Sequence, residues 1–389
     1  MRVLAIDFGT SNTVAAVSVD GTAPRLLTID GSPLVPSSVY LGEDGTIAVG
    51  RDADRQARID PSRYEPNPKR RIDDGEMLLG TDVIPVRQAI AAVLGRVLQE
   101  FRRQFDGARP DVVRLTHPAR WRKTRRDVLV AACREAGLSD DPILVPEPVG
   151  AATHFVSQGG HNMQPGQALA VYDLGGGTFD VAIVQKTANG FEVIAEAGLP
   201  DLGGLDFDHA ILEHVGRSQQ PTNPEEWAKL NRPTDTASRR AQRALAVDIK
   251  EGKEALSRHP HTDIAFPAPF HDVHVTRSEF EELIRPNLAR SVELLSTTIS
   301  EANQTPDRLS GVYLVGGSSR IPLVARLIQE GLGVTPATLD QPEATVASGA
   351  LYLNVGSQPG AGPAAPNPTP AIPQLRAPAT TGTDGLLSF

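Results

Sequence analysis

The chain has 389 residues, 40% hydrophobic and 22% charged, enough for a globular core spread over two lobes. Its 38 lysines and arginines against 47 aspartates and glutamates leave a net charge of −9. That balance argues against nucleic acid or an anionic membrane as the main partner, since both select a basic face. A single cysteine, Cys133, excludes an internal disulfide and a cysteine metal cluster. It sits in the helical run VLVAACREAGL and reads as a buried apolar thiol. No apolar run approaches membrane-spanning length, and MRVLAIDFGT enters a strand without a signal-peptide pattern. The expectation is a soluble, cytoplasmic monomer.

In chain order, residues 2–7 and 13–19 are β-rich runs joined by the glycine-containing connection FGTSN. Residues 86–105 place Ile90, Val93, Leu94, Val97, Leu98 and Phe101 on one helical face. Residues 169–173 and 179–185 form a second strand pair around LGGGT. Thr276 and Glu279 make a capping box that opens a long amphipathic helix, which Pro286 should kink or split. A third strand, 311–315, runs into GGSSR and a helix whose Pro322 suits a first turn. From Gly356 the composition shifts: seven prolines, Pro359 to Pro378, and two charged residues predict a disordered tail over 356–389. The segments AIDFGTSNTVAAV and VYDLGGGTFDVAIV share one plan: an apolar strand, a closing aspartate, a glycine turn with threonine, and a returning strand. They read as an internal duplication facing itself across a cleft.

Asp7 and Asp173 end apolar strands, where a carboxylate is expensive unless something satisfies it. Alone, each could simply cap a tight turn. Beside Gly9-Thr10-Ser11 and Gly175-Gly176-Gly177-Thr178 they fit another purpose. Successive backbone N–H groups in glycine turns form anion-binding nests, and two facing nests would clamp a triphosphate. A Mg²⁺ held through waters would satisfy the two aspartates, because that ion prefers few carboxylates plus phosphate oxygens. In YLVGGSSRIP, Gly316 and Gly317 let a flat base approach the backbone and Arg320 could stack on it; the alternative is a solvated helix start. His259, His261, His271 and His274 lack further ligands at metal spacing and read as surface residues.

The motifs IDFGTSN, VPEPVGAA, VYDLGGGTFDVAIV, YLVGGSSRIPLV and EATVASGAL occur in that order. They resemble the phosphate-1, connect-1, phosphate-2, adenosine and connect-2 motifs of the actin-like ATPase superfamily. DLGGGTFD and VGGSSRIP are most similar to the 70-kDa heat-shock (DnaK-type) chaperones, over residues 1 to about 353. The resemblance implies a duplicated actin-like (ribonuclease H-like) α/β fold with two lobes around a central nucleotide cleft. Lobe I would span 1–166, with a lid inserted at about 38–112. Lobe II would span 167–355, with an insertion at about 205–285 and a last helix, 342–355, packing back toward lobe I. It implies ATP or ADP with Mg²⁺ as ligands. Gly9, Thr10, Ser11, Asn12, Gly175, Gly176, Gly177 and Thr178 would meet the phosphates, and Asp7 and Asp173 the Mg²⁺ waters. Glu147 and Asp180 would position or deprotonate the attacking water, with Thr178 and Asp173 in the same catalytic group. Lys69 in PNPKRRI would be the catalytic lysine, although Lys69-Arg70-Arg71 alone reads as a solvated basic patch. Lys253, Arg320 and Glu343 would contact the nucleoside beside Gly316 and Gly317, and Gly203, Gly204 and Ser318 would also bind the cofactor. Pro118 and Arg126 match a proline switch and a relaying arginine.

The chain departs from that family's pattern at several points. Lys250 stands where a glutamate usually meets the ribose, Glu254 where a basic or apolar residue is common, and Glu343 in place of an aspartate. The stretch from Lys69 to Pro118 is shorter, and no β-sandwich substrate-binding domain is expected to follow. The reading is a slowly hydrolysing chaperone-type ATPase with a co-chaperone or nucleotide-exchange partner and an unidentified client. An actin-like filament or scaffold ATPase is the alternative, separable by sedimentation with ATP. A sugar or acetate kinase is disfavoured, because no substrate aspartate lies near Glu147.

Overall fold

The computed structural model describes residues 1–157, 162–338 and 341–353. The Pro-rich tail expected from Gly356 lies outside the described residues. The first sheet is built on a hairpin of β1 (Arg2–Phe8) and β2 (Asn12–Val19), with β3 (Arg25–Leu26) beside β2. After the long helix α1 (Val86–Gln104), β4 (Val112–His117) joins β1 in parallel. Helix α2 (Lys123–Glu135) then leads to β5 (Ile143–Pro146), parallel to β4, and to α3 (Glu147–Ser157). The strand order is β5-β4-β1-β2-β3. Val3, Leu4, Ala5 and Ile6 are all buried, as a continuous apolar run must be in a strand covered on both faces.

The second sheet repeats this plan. Strands β6 (Ala168–Leu174) and β7 (Phe179–Lys186) form the hairpin, and β8 (Phe191–Leu199) extends it antiparallel. Helices α4 (Gly204–Gln219), α5 (Thr236–Leu256) and α6 (Arg277–Glu301) precede β9 (Val312–Val315), which joins β6 in parallel. The order β8-β7-β6-β9 mirrors β3-β2-β1-β4. Helices α7 (Pro322–Leu332) and α8 (Thr345–Ala350) close the described chain. This is the duplicated actin-like, ribonuclease H-like α/β architecture that the paired motifs predict.

Cys133 is fully buried and its thiol is pushed up to about 11, chiefly by burial. His259, His261, His271 and His274 are exposed. Of the kink or split expected at Pro286, the split does not occur: α6 is continuous from Arg277 to Glu301. Pro286 is exposed, so the carbonyl one turn back that loses its donor faces water, while Phe280, Ile284, Leu288 and Leu295 stay packed on the other side. Of the last helix expected over 342–355, the described residues form Thr345–Ala350 with turns through Tyr352, and 354–355 lie outside them. This helix crosses α3 so closely that a Cβ on Gly150 would stand 2.9 Å from the Val346 carbonyl oxygen, and one on Gly349 would strike the Gly150 carbonyl. Helix α8 packs on β1 and β2 as well as on α3, under the junction of the two sheets. Among the described residues no helix is long and apolar enough to cross a membrane.

Candidate functional site

The two hairpin turns close identically. Gly9 N–H donates to the Asn12 carbonyl at 3.1 Å, and Gly175 N–H to the Thr178 carbonyl at 3.1 Å. They face each other: a Cβ on Gly177 would lie 2.8 Å from the Thr10 methyl, and Gly176 abuts Ser11 in the same way. Gly203-Gly204 seals one side, with Gly204 N–H on the Gly175 carbonyl at 3.0 Å and Leu205 N–H on the Gly176 carbonyl at 2.8 Å. The GGSSR turn seals another. Gly316 (φ 81°) would place a Cβ 2.5 Å from Asp173 Oδ1, and one on Gly204 would stand 2.7 Å from Ser318 Oγ. These turns thus enclose a narrow cradle, with no room for a side chain at Gly176, Gly177, Gly203, Gly204 or Gly316.

Charged side chains gather at the floor. Lys69 Nζ donates to Glu147 Oε1 at 3.1 Å, and Glu147 is 8% exposed. Thr116 Oγ1 donates to Asp7 Oδ1 at 2.7 Å. Thr178 Oγ1 donates to Asp180 Oδ2 at 2.9 Å, while Arg120 Nε donates to Asp180 Oδ1 at 2.8 Å. Burial raises the Asp7 carboxyl against the opposing Lys69 charge and Thr116 hydrogen bond. Burial, then Glu147, Asp180 and Asp7, holds Asp173 well above the usual carboxylate range. Glu147 is pushed up to about 7 by burial, opposed by Lys69 and reinforced by Asp7 and Asp180. Burial works against the Lys69 ammonium, but Glu147 and Asp7 reverse it and leave its pKa raised.

Burial is the leading cause for all three carboxyls, and mutual repulsion around one lysine adds to it at Glu147 and Asp173. A buried excess of negative charge with hard oxygen donors fits a divalent cation. Among the described residues no group of three or more His, Cys, Asp or Glu is arranged to hold a metal ion directly.

Beside the Gly203-Gly204 turn, Lys253 Nζ donates to the Gly204 carbonyl at 2.8 Å and pairs with Asp208 at 2.7 Å. Arg320 and Glu343 form a two-pronged pair, each contact 3.0 Å, at the rim beside Gly317. Lys250 and Glu254 are exposed on α5 and act on Asp208 through charge. Pro118 lines the floor with Glu147, Asp173 and Asp180. Arg126 lies further off, on α2, where its charge bears on His117, whose ring bonds the Pro118 carbonyl at 2.8 Å.

Sequence reasoning missed Thr116, Arg120 and Arg70. The parallel register Ile6↔Leu115 carries Thr116 beside Asp7, so the polar break in VVRLTH was its signal. Arg70 follows Lys69, and its Cδ would lie 3.4 Å from a Cβ on Gly177. Arg120 offered no local signal.

Residues 79–355 match the family model described as Hsp70 protein. The chaperone protein DnaK of Thermotoga neapolitana is 31% identical over 358 residues, covering 90% of this chain and 58% of that protein. The chaperone protein HscA homolog of Azotobacter vinelandii is 32% identical over 368 residues, covering 89% and 56%. DnaK of Thermus thermophilus is 31% identical over 385 residues, covering 90% and 60%. The chain thus spans under two thirds of the length of these curated relatives. With the two mirrored sheets, the facing glycine turns and a family match over most of its length, the chain belongs to the Hsp70 protein family.

Proposed function

We propose that the chain binds Mg·ATP between its two sheets and hydrolyses it slowly, as the nucleotide-dependent module of a chaperone-type ATPase. The observation that carries this reading is Lys69 set among Asp7, Glu147 and Asp173 where the two glycine hairpins face each other. Thr10, Ser11, Thr178 and the amides of Gly175 to Gly177 would bind the phosphates. Asp7 and Asp173 would hold the waters of a Mg²⁺, which supplies charge neutralisation on the phosphate oxygens. Glu147 and Asp180 would orient the attacking water and take its proton, and Lys69 would stabilise charge developing on the transferred group. Lys253, Arg320 and Glu343 would border the nucleoside.

Contacts made only by the terminal phosphate would bias how the lobes sit, and a co-chaperone or nucleotide-exchange partner would read that bias. Names of the relatives, which are chaperones, support the class. The test is single-turnover hydrolysis of Mg·ATP with calorimetric binding alongside. Lys69→Ala and Thr178→Ala should each slow hydrolysis about 10²–10³-fold, the loss expected on removing one transition-state contact, while binding stays measurable. Parent-like rates in both variants would reject the assignment of the cleft.

A further inference from the structure

Arg120 crosses from the first sheet to the second at the floor of the site. It follows β4 in a turn closed by Trp121 N–H on the Pro118 carbonyl at 3.0 Å. Its Nε donates to Asp180 Oδ1 at 2.8 Å, and a terminal guanidinium nitrogen lies 2.8 Å from the same oxygen. The other carboxylate oxygen is held by Thr178 of its own hairpin. Asp180 is therefore fixed at both oxygens, once from each side of the cleft.

The guanidinium has a slot made for it. Gly198 on β8 sits opposite Asp180 on β7, and a Cβ there would stand 2.6 Å from the Arg120 nitrogen. Glu196, exposed two residues earlier on β8, lies within electrostatic reach of the same guanidinium. The next residue of the turn, Trp121, places its ring 5.4 Å from Lys69 Nζ. One short turn thus touches the lysine on one side and a chemistry-bearing carboxylate on the other. The Arg120 side chain is 35% exposed, and an ion pair that wet contributes little to stability. Its effect should lie in orientation.

We propose that Arg120 is a positioning residue for the hydrolysis proposed above: it holds the Asp180 carboxylate in the orientation the attacking water needs, and does so only while the two sheets are drawn together. The proposal rests on that functional reading. Opening the cleft would carry the guanidinium away from Asp180 and leave the carboxylate tethered by Thr178 alone.

The test uses the full chain with Mg·ATP, measuring single-turnover rate and calorimetric affinity for the parent, Arg120→Ala, Arg120→Lys and Arg120→Gln. Arg120→Ala is also made in an Asp180→Asn background. Arg120→Ala should slow hydrolysis about 10- to 100-fold, the scale of a misplaced catalytic group, and leave affinity unchanged. Arg120→Lys should recover most of that loss. In Asp180→Asn, adding Arg120→Ala should change the rate by less than about twofold, since the interaction is already gone. Should alanine fail to fold, Arg120→Gln keeps the stem, and the same slow rate at parent affinity is expected.

An equal drop in both backgrounds would overturn the proposal, as would weakened affinity with an unchanged saturating rate. A parent chain that hydrolyses ATP while its Arg120 variants keep the parent rate overturns this proposal alone. A parent chain that hydrolyses none overturns the function proposed above, and this with it.

Discussion

His117 ends β4 at 3% exposure, with its Nδ1–H donated to the Pro118 carbonyl at 2.8 Å. Burial, opposed by that hydrogen bond and reinforced by Arg126 and Lys69, draws its pKa from 6.5 down to about 4. The unfolded chain takes up the proton near its ordinary pKa and the folded chain only near the lowered one. Stability is thus intact above about pH 6.5 and lost as pH falls toward 4. The loss should reach about 2 kcal/mol at pH 5 and about 3 kcal/mol below pH 4. Melting at pH 7 and pH 5 should show a smaller fall in Tm for His117→Asn than for the parent. Equal falls would place the acid sensitivity on other groups.

Neither His117 nor Arg120 was legible in the sequence, and the reason is the same. Asp7, Asp173 and Lys69 each sit beside a pattern visible in one dimension, a glycine turn or a basic run in a known order. Arg120 meets a partner sixty residues away on another sheet. The significance of His117 comes from burial that only the packed molecule creates.

Among elements, α6 is where local signals and tertiary packing disagree. Its start follows the sequence closely: Thr276 Oγ1 accepts from Glu279 N–H at 3.3 Å, and Glu279 reaches back to Thr276 N–H at 2.8 Å. Its middle departs from the split that Pro286 allowed, since the helix continues. A buried stripe on both sides of the proline outweighs one lost hydrogen bond whose acceptor is wet. That account makes a prediction. Pro286→Ala should stabilise the chain, by up to about 3 kcal/mol, the interior helix difference between the two residues. Thr276→Ala should destabilise it by about 1 kcal/mol through the lost cap. Urea unfolding of the two variants checks both signs. A destabilised Pro286→Ala would mean that the proline's stiffening of the unfolded chain dominates. The strand pairs, by contrast, were readable in place and partner, since each hairpin brackets a glycine turn. The small hairpins at 39–49 and 76–85 were not, because their short strands carry too few residues for periodicity to show.

At the scale of the molecule, described residues of the two halves meet below, at and above the proposed chemistry. Below, α3 and α8 cross at Gly150 and Gly349. At the floor, Arg120 reaches Asp180. At the mouth, α5 sends two arginines across. Arg240 donates to the Ile59 carbonyl through Nε at 3.0 Å. Arg243 lies over the Tyr64 ring, 4.0 Å from its centroid, and bonds the Asp54 carbonyl at 3.1 Å. Tyr64 in turn donates to Asp54 Oδ1 at 2.6 Å, and its own proton is held up to about 12 by burial and by Asp54. The Arg243 side chain is only 17% exposed, so its cation–π contact is partly desolvated and should contribute about 0.5–2 kcal/mol. If nucleotide binds in the cleft below, opening this contact would ease its release. Arg243→Ala should then speed release of a fluorescent ATP analogue by about 2- to 30-fold, the same free energy expressed as a rate. Tyr64→Leu should give a similar increase, and the double variant little more, because both remove one contact. Single-turnover hydrolysis at saturating Mg·ATP should stay at the parent rate, since none of these groups touches the floor. Stopped-flow displacement reads the release rate directly. Unchanged release in both single variants would mean that the mouth opens without breaking this contact, and that the cleft is held shut from below.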